Sequence, residues 1–202
     1  MDQTIIINGS HRAPLSNSRR YTKYLMKFLK TDSTELLLNK NNYDEISKEL
    51  FSAQTAILVF PLYVDCIPSI LLGFLNRLEK LGEKYKSRPT VYIIINCGFI
   101  ENEQNEVAIS IIKFFLKKNG FKYGGVLSIG SGEAILDSPF RGMVRGKIKK
   151  MAQAIEHGET ICIKTQMPIS KWFFVQAGNK YWEIKGSSHG KTKIEMKTME
   201  IK

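Results

Sequence analysis

Residues that can do chemistry gather in the turn Gly9-Ser10-His11-Arg12-Ala13-Pro14-Leu15-Ser16-Asn17-Ser18, which holds hydroxyls, an amide, an imidazole and a guanidinium. The turn follows the β-branched run Thr4-Ile5-Ile6-Ile7-Asn8. It precedes a segment in which Tyr21, Tyr24, Leu25 and Phe28 recur at helical spacing. A helix opening here presents unpaired N–H groups and the positive end of its dipole, an arrangement that suits a phosphate. Ser10, Ser16, Asn17 and Ser18 add directional hydrogen bonds without crowding the phosphate oxygens. Arg12, with Arg19 and Arg20 just beyond, adds positive charge. Ordinary N-capping uses the same residue types, but position directly after the first strand favours the phosphate. Neither G-x-G-x-x-G nor G-x-x-x-x-G-K-[ST] is present, which disfavours the common dinucleotide and ATP loops.

Two further segments carry unusual residues. Pro61-Leu62-Tyr63-Val64-Asp65-Cys66-Ile67-Pro68 is bracketed by prolines, so it reads as a stiff loop whose aromatic wall can stack on a flat ring. Asn96-Cys97-Gly98-Phe99-Ile100-Glu101 contains a glycine that lets backbone N–H groups approach the edge of a ligand. In both segments a structural role competes with the functional one. Tyr63 and Ile67 also suit capping the end of a sheet, and an unpaired small residue in a tight loop accounts for Cys97 more simply than a redox thiol does.

The elements that must position these loops alternate strictly. The sequence predicts strands at 4–8, 34–38, 56–60, 90–96 and 125–129, and helices at 17–29, 44–51, 69–81, 107–118 and 140–156. Pro68 opens the third helix, Asn119-Gly120 ends the fourth, and Gly130-Ser131-Gly132 closes the fifth strand. A βα unit repeated in this way implies a parallel sheet of five strands, right-handed crossovers and helices on both faces. Ligands of such sheets sit outside the carboxyl ends of the strands, at the topological switch point, where the three unusual loops fall.

Composition narrows the chemistry. The chain has 202 residues, 43% hydrophobic and 24% charged, enough for one sizeable core. The opening apolar run is too short for a signal peptide and no run spans a bilayer, so the expectation is a cytoplasmic protein without a membrane partner. Three cysteines without C-x-x-C spacing argue against a disulfide scaffold and against an iron–sulfur or zinc site; no metal is expected. The net charge of +11 favours anionic partners, but the basic residues are scattered, which reads as solvated helix faces rather than a nucleic-acid surface. After Gly158 the pattern changes to an aromatic stretch with Trp172, Phe173, Phe174, Tyr181 and Trp182, followed by a lysine-rich end. The expected division is a domain at 1–160 and an extension at 161–202 that packs on the domain or on a partner subunit.

These segments together resemble the NADPH-dependent FMN reductase family. Asn8-Gly9-Ser10-His11-Arg12 with Ser16-Asn17-Ser18 is similar to that family's Gly-Ser-Pro-Arg…Ser-Asn-Ser loop. Phe60 to Pro68 is similar to its second flavin loop and Leu71 to Arg77 to the helix after it, while Asn96-Cys97-Gly98-Phe99 matches the third loop more loosely. The likeness covers roughly residues 4–150, and His11 departs from it, standing where the family has proline. The resemblance implies a flavodoxin-like three-layer sandwich with strand order 2-1-3-4-5, a homodimer, and non-covalent FMN. The phosphate is then expected at Ser10, Arg12, Ser16, Asn17 and Ser18. The ring is expected against Pro61, Leu62, Tyr63 and Val64, with its pyrimidine edge near Asn96, Cys97 and Gly98. The implied activity passes hydride from NADPH or NADH to a small-molecule acceptor such as a flavin or quinone. It needs no protein acid or base, so no catalytic residue is assigned. A flavodoxin-like electron carrier without nicotinamide activity is the alternative; such carriers are usually acidic, unlike this chain. An aromatic single-strand-binding surface is a third, less favoured reading.

Overall fold

Four runs rich in isoleucine, valine and leucine, at 4–8, 55–61, 90–96 and 126–129, are buried almost throughout, so each must lie in a sheet covered on both sides. The computed structural model describes residues 3–198 and places them so. β1 (Thr4–Asn8), β2 (Ser33–Leu37), β3 (Thr55–Pro61), β4 (Thr90–Asn96), β5 (Lys122–Ile129) and β6 (Ile161–Thr165) form one sheet in the order 2-1-3-4-5-6. Every pairing is parallel. This is the flavodoxin-like α/β fold, with one strand more than the sequence predicts.

The connecting helices are α1 (Asn17–Met26), α2 (Tyr43–Ser52), α3 (Ser69–Gly82), α4 (Glu106–Lys118) and α5 (Arg141–Glu156). On one face Ile5, Ile7, Leu58, Phe60, Ile93 and Ile95 pack with Leu50, Phe51, Leu71, Phe74, Leu78, Ile112 and Leu116 of α2, α3 and α4. The alternate strand residues Ile6, Ile57, Val59, Ile94 and Leu127 point the other way. That face is covered by α1 and α5, through buried Tyr21, Leu25, Val144, Ile148 and Met151.

Residues 161–165, assigned to the extension on sequence grounds, pair with β5 as the edge strand, and the first compact unit runs to Met167. The alternation in Ile161-Cys162-Ile163-Lys164-Thr165 is that of a strand with one wet face, as an edge requires. Gly125 makes the pairing feasible. At φ +146 it shifts the β4–β5 register between Val91 and Tyr92, and a Cβ there would approach the Ile161 nitrogen to 2.9 Å.

The second unit, from Pro168, holds α6 (Lys171–Ser188) and α7 (Lys193–Thr198). Ser170 caps α6 by accepting from the Phe173 N–H, and Lys193 Nζ lies 2.6 Å from Glu183 Oε1. Among the described residues no helix is long and apolar enough to cross a membrane.

Candidate functional site at the carboxyl ends of the strands

The order 2-1-3 makes the gap between β1 and β3 the switch point, where successive crossovers leave for opposite faces and open a crevice. Three loops meet there: residues 9–16 after β1, 62–68 after β3 and 97–101 after β4. The sequence reading brought these same three together.

The first loop is held by its own polar groups. Asn8 Oδ1 accepts from the Ser10 N–H at 3.1 Å, Ser10 Oγ accepts from the Arg12 N–H at 3.3 Å, and Ala13-Pro14 is a cis peptide. Ser16 is the N-cap of α1, its Oγ accepting from the Arg19 N–H at 3.2 Å. The N–H groups of Asn17 and Ser18 have no acceptor among the described residues. Arg19 reaches Glu35 at 3.4 Å, and Arg20 forms a two-pronged pair with Asp137 at 2.9 and 2.5 Å. That hydrogen bond holds the Asp137 carboxyl below the usual carboxylate range. Arg12 is left as a solvent-exposed guanidinium with no carboxylate partner among the described residues. This is a charged, donor-rich helix start that fits a phosphate monoester.

In the second loop Tyr63 and Cys66 exchange backbone hydrogen bonds of 3.0 and 2.9 Å across a two-residue turn. Val64 and Asp65 both lie at positive φ, +47 and +55, the geometry of a hairpin turn that favours Asn-Gly. A β-branched residue held left-handed with its side chain 99% exposed carries local strain without any burial in return. Pro61 ends β3 in register with Asn96, and the Leu62 N–H donates to the Asn96 carbonyl at 2.7 Å.

In the third loop Asn96 is buried and committed: its Nδ2 donates to Ser18 Oγ and to the Phe60 carbonyl, both at 3.2 Å. The Cys97 N–H donates to the Ile129 carbonyl at 3.0 Å, and burial pushes the Cys97 thiol up to about 11. It is a packing residue rather than a thiolate. Gly98 and Phe99 have N–H groups without acceptors among the described residues, and Gly98 is exposed, beside the Glu133 side chain. Asn96 and Cys97 therefore brace this loop, while Gly98 and Phe99 present its free donors.

Two segments that the sequence reading names contribute in ways it does not predict. The turn Gly130-Ser131-Gly132 after β5 buttresses the third loop: the Ser131 N–H donates to the Phe99 carbonyl at 2.5 Å and the Gly132 N–H to the Cys97 carbonyl at 2.6 Å. Tyr21 of α1 donates its hydroxyl to the Gly132 carbonyl at 2.8 Å, and burial pushes that phenol far up. A Gly-Ser-Gly directly after a strand is the signal that marks this fourth loop. The other contributor is His11, whose Nε2 lies 3.0 Å from Ser69 Oγ and accepts from the Ile70 N–H at 3.4 Å. The N-cap of α3 is Pro68, which has no side-chain acceptor to give, so His11 supplies one from another loop. Its ring centroid stands 6.0 Å from that of Tyr63.

No family model matches the chain, and no curated protein matches it by sequence. Solved structures do match in fold. The NAD(P)H:quinone oxidoreductase from Methanothermobacter marburgensis is 15% identical with a TM-score of 0.61, over 77% of this chain and 96% of that one. An NADPH-quinone reductase from P. pentosaceus is 16% identical with a TM-score of 0.60, covering 80% and 99%. The FMN-dependent NADH-azoreductase from Bacillus anthracis, solved in complex with FMN, is 16% identical with a TM-score of 0.55, covering 77% and 99%. At these identities the likeness is one of fold, and function rests on the site.

Proposed function

We propose that this chain is an FMN-dependent NAD(P)H oxidoreductase that passes reducing equivalents to a small organic acceptor such as a quinone, a flavin or an azo compound, and that it works as a homodimer. The observation that carries the reading is the start of α1 at the switch point. The N–H groups of Asn17 and Ser18, which have no acceptor among the described residues, the hydroxyls of Ser10, Ser16 and Ser18, and Arg12, exposed and without a carboxylate partner among them, all belong to this one loop and helix start, the composition that a phosphate calls for. The names of the fold's neighbours agree with it, since they are quinone reductases and an azoreductase that holds FMN.

FMN, when bound, supplies the chemistry: it accepts hydride from a nicotinamide and returns electrons to a second substrate. This chain's residues bind and orient. Arg12 and the α1 terminus neutralise the phosphate. Pro61, Leu62, Tyr63 and Val64 give the ring a wall, and Gly98 and Phe99 offer N–H donors to its polar edge. The exposed side chains of Leu15, Val64 and Phe99 stand on the loops around the crevice and give a flat, apolar acceptor something to rest on.

Substitution Asn17→Asp puts a carboxylate at the phosphate position while keeping a residue suited to the first helical turn. A like charge at contact range costs about 1–4 kcal/mol, so FMN affinity should fall at least ~10-fold while riboflavin affinity stays within about two-fold. Fluorescence titration with both flavins reads this directly. Anaerobic NADPH or NADH should then bleach the bound flavin. Flavin that binds but resists both nicotinamides identifies a carrier, and absence of flavin binding ends the proposal.

A further inference from the structure

A carboxylate on the covered face of a sheet is costly to bury, yet the Glu35 side chain on β2 is only 12% exposed. In the parallel register Glu35 stands opposite Ile6, so it shares with Ile6 and Asn8 the face that α1 covers. Two partners meet it there. Asn8 Nδ2 donates to Glu35 Oε1 at 3.1 Å, and Arg19 Nε of α1 lies 3.4 Å from Glu35 Oε2. The ion pair is the looser contact: Arg19 Nε is buried and makes no hydrogen bond among the described residues. The bond to Asn8 is the one that Glu35 is placed to make.

An amide can offer either of its ends. A carboxylate only accepts, so Glu35 takes the Nδ2 end of Asn8 and leaves Oδ1 on the side of the first loop. Oδ1 accepts from the Ser10 N–H at 3.1 Å, and Ser10 Oγ in turn accepts from the Arg12 N–H at 3.3 Å. With the amide turned over, two donors would face each other, and Ser10, which is 2% exposed, would keep a buried N–H without an acceptor. A chain of hydrogen bonds thus runs from β2 through the end of β1 to the residue that carries the exposed guanidinium. Its first step joins positions 27 apart in sequence.

We propose that Glu35 is a positioning residue of the phosphate site: by fixing the orientation of the Asn8 amide it holds Ser10 and Arg12 in the form that receives a phosphate. It touches no ligand itself. The inference deepens the function proposed above and rests on it for the ligand, whereas the hydrogen-bonded chain belongs to the protein without flavin.

Amide exchange in the flavin-free chain, read residue by residue by NMR, tests that chain directly. The Ser10 N–H should exchange at least ~10-fold more slowly than the N–H groups of Asn17 and Ser18, which have no acceptor among the described residues. Glu35→Leu removes the acceptor and puts an apolar group where a mostly buried charge stood, a change that folded chains commonly tolerate, and thermal melts check that it folds. Glu35→Gln keeps an oxygen for Asn8 and gives up only the charge beside Arg19. Under Glu35→Leu the Ser10 N–H should exchange about ten-fold faster and FMN affinity should fall about ten-fold, the size of one hydrogen bond to a charged group. Riboflavin affinity should stay within about two-fold, since riboflavin has no phosphate to place. Glu35→Gln should match wild type in all three readings. Ser10 exchange as fast as that of Asn17 and Ser18 in wild type, or unchanged by Glu35→Leu, overturns the proposal. So does Glu35→Gln behaving like Glu35→Leu, which leaves Glu35 only its ion pair with Arg19. An equal loss of both flavins overturns it too, because the role is then structural. A wild type that binds neither flavin ends the function proposed above, and the exchange rates alone then uphold or overturn the link from Glu35 to Ser10.

Discussion

The imidazole of His11 accepts the N–H that opens α3 while its own backbone belongs to the phosphate-side loop, so two loops share one side chain. A proline at this position stiffens the chain locally; the histidine replaces that stiffness with a hydrogen-bonded link across 58 positions of sequence. The cysteines show the same dependence on surroundings. Cys97 is buried with its thiol raised to about 11, Cys66 is half-buried, and Cys162 stands exposed on the edge strand. A raised pKa keeps Cys97 protonated across the neutral range, so an aromatic disulfide reagent should label Cys162 quickly at pH 8. Cys66 should follow more slowly, and Cys97 should react only after denaturation. Rapid labelling of Cys97 would contradict the packing role given to it here.

Turns decide how the elements present the site. The left-handed pair Val64-Asp65 is the tip of the ring-side loop, and a valine there is forced into a conformation that glycine adopts freely. Val64→Gly should relieve that strain, against a smaller entropic cost in the unfolded chain, for a net gain of about 0.5–1 kcal/mol. Thermal unfolding reads the change, and a lower Tm would show that Val64 is better placed than its backbone angle says. Farther from the site, the turn before β2 is tied to the last turn of α5. Glu156 Oε1 accepts from the Lys30 N–H at 2.9 Å, the Thr31 N–H at 3.1 Å and the Thr31 hydroxyl at 3.0 Å. Burial pushes the Glu156 carboxyl up, but these bonds outweigh it and hold the group below its ordinary value. Because the folded pKa is the lower one, the stabilisation is fully present above the unfolded value and is lost as pH falls through the native one. Glu156→Ala should therefore cost about 1 kcal/mol at pH 7, and the gap from wild type in urea melts should close below about pH 4.

The whole molecule is a closed α/β unit ending at Met167 and a short helical unit that starts at Pro168. The first unit contains the core, the switch point and every loop of the candidate site. A chain cut after Met167 should keep its Tm within a few degrees and its FMN affinity within about two-fold. A truncated chain that fails to fold would show that the tail completes the core. The +11 charge sets partners rather than fold, and its scatter leaves Arg12 as the site's own cation.

Hydrophobic patterning alone determined the alternation of strands and helices, because a fully apolar β-branched run admits one environment, a covered parallel strand. β4 was bounded to the residue and the phosphate-side loop was legible as a helix start. The edge strand at 161–165 was not legible: five residues with one wet face carry little signal until β5 supplies the ladder beside them. The apolar residues of α6 fall on opposite sides of the helix and cancel each other's periodicity, so its aromatics read as an irregular tail rather than a helix. The sequence placed His11 in the first loop but not its acceptor role, which depends on Ile70, and only the packing of α3 beside that loop brings Ile70 within reach. The family resemblance implied Asn96 and Cys97, with Gly98, near the pyrimidine edge of the ring. The tertiary structure turns their polar groups inward, toward Ser18, Phe60 and Ile129, and leaves the free donors to Gly98 and Phe99. Local runs specify which elements form; which side chain meets which across the crevice is a long-range fact, set by how the covered sheet closes.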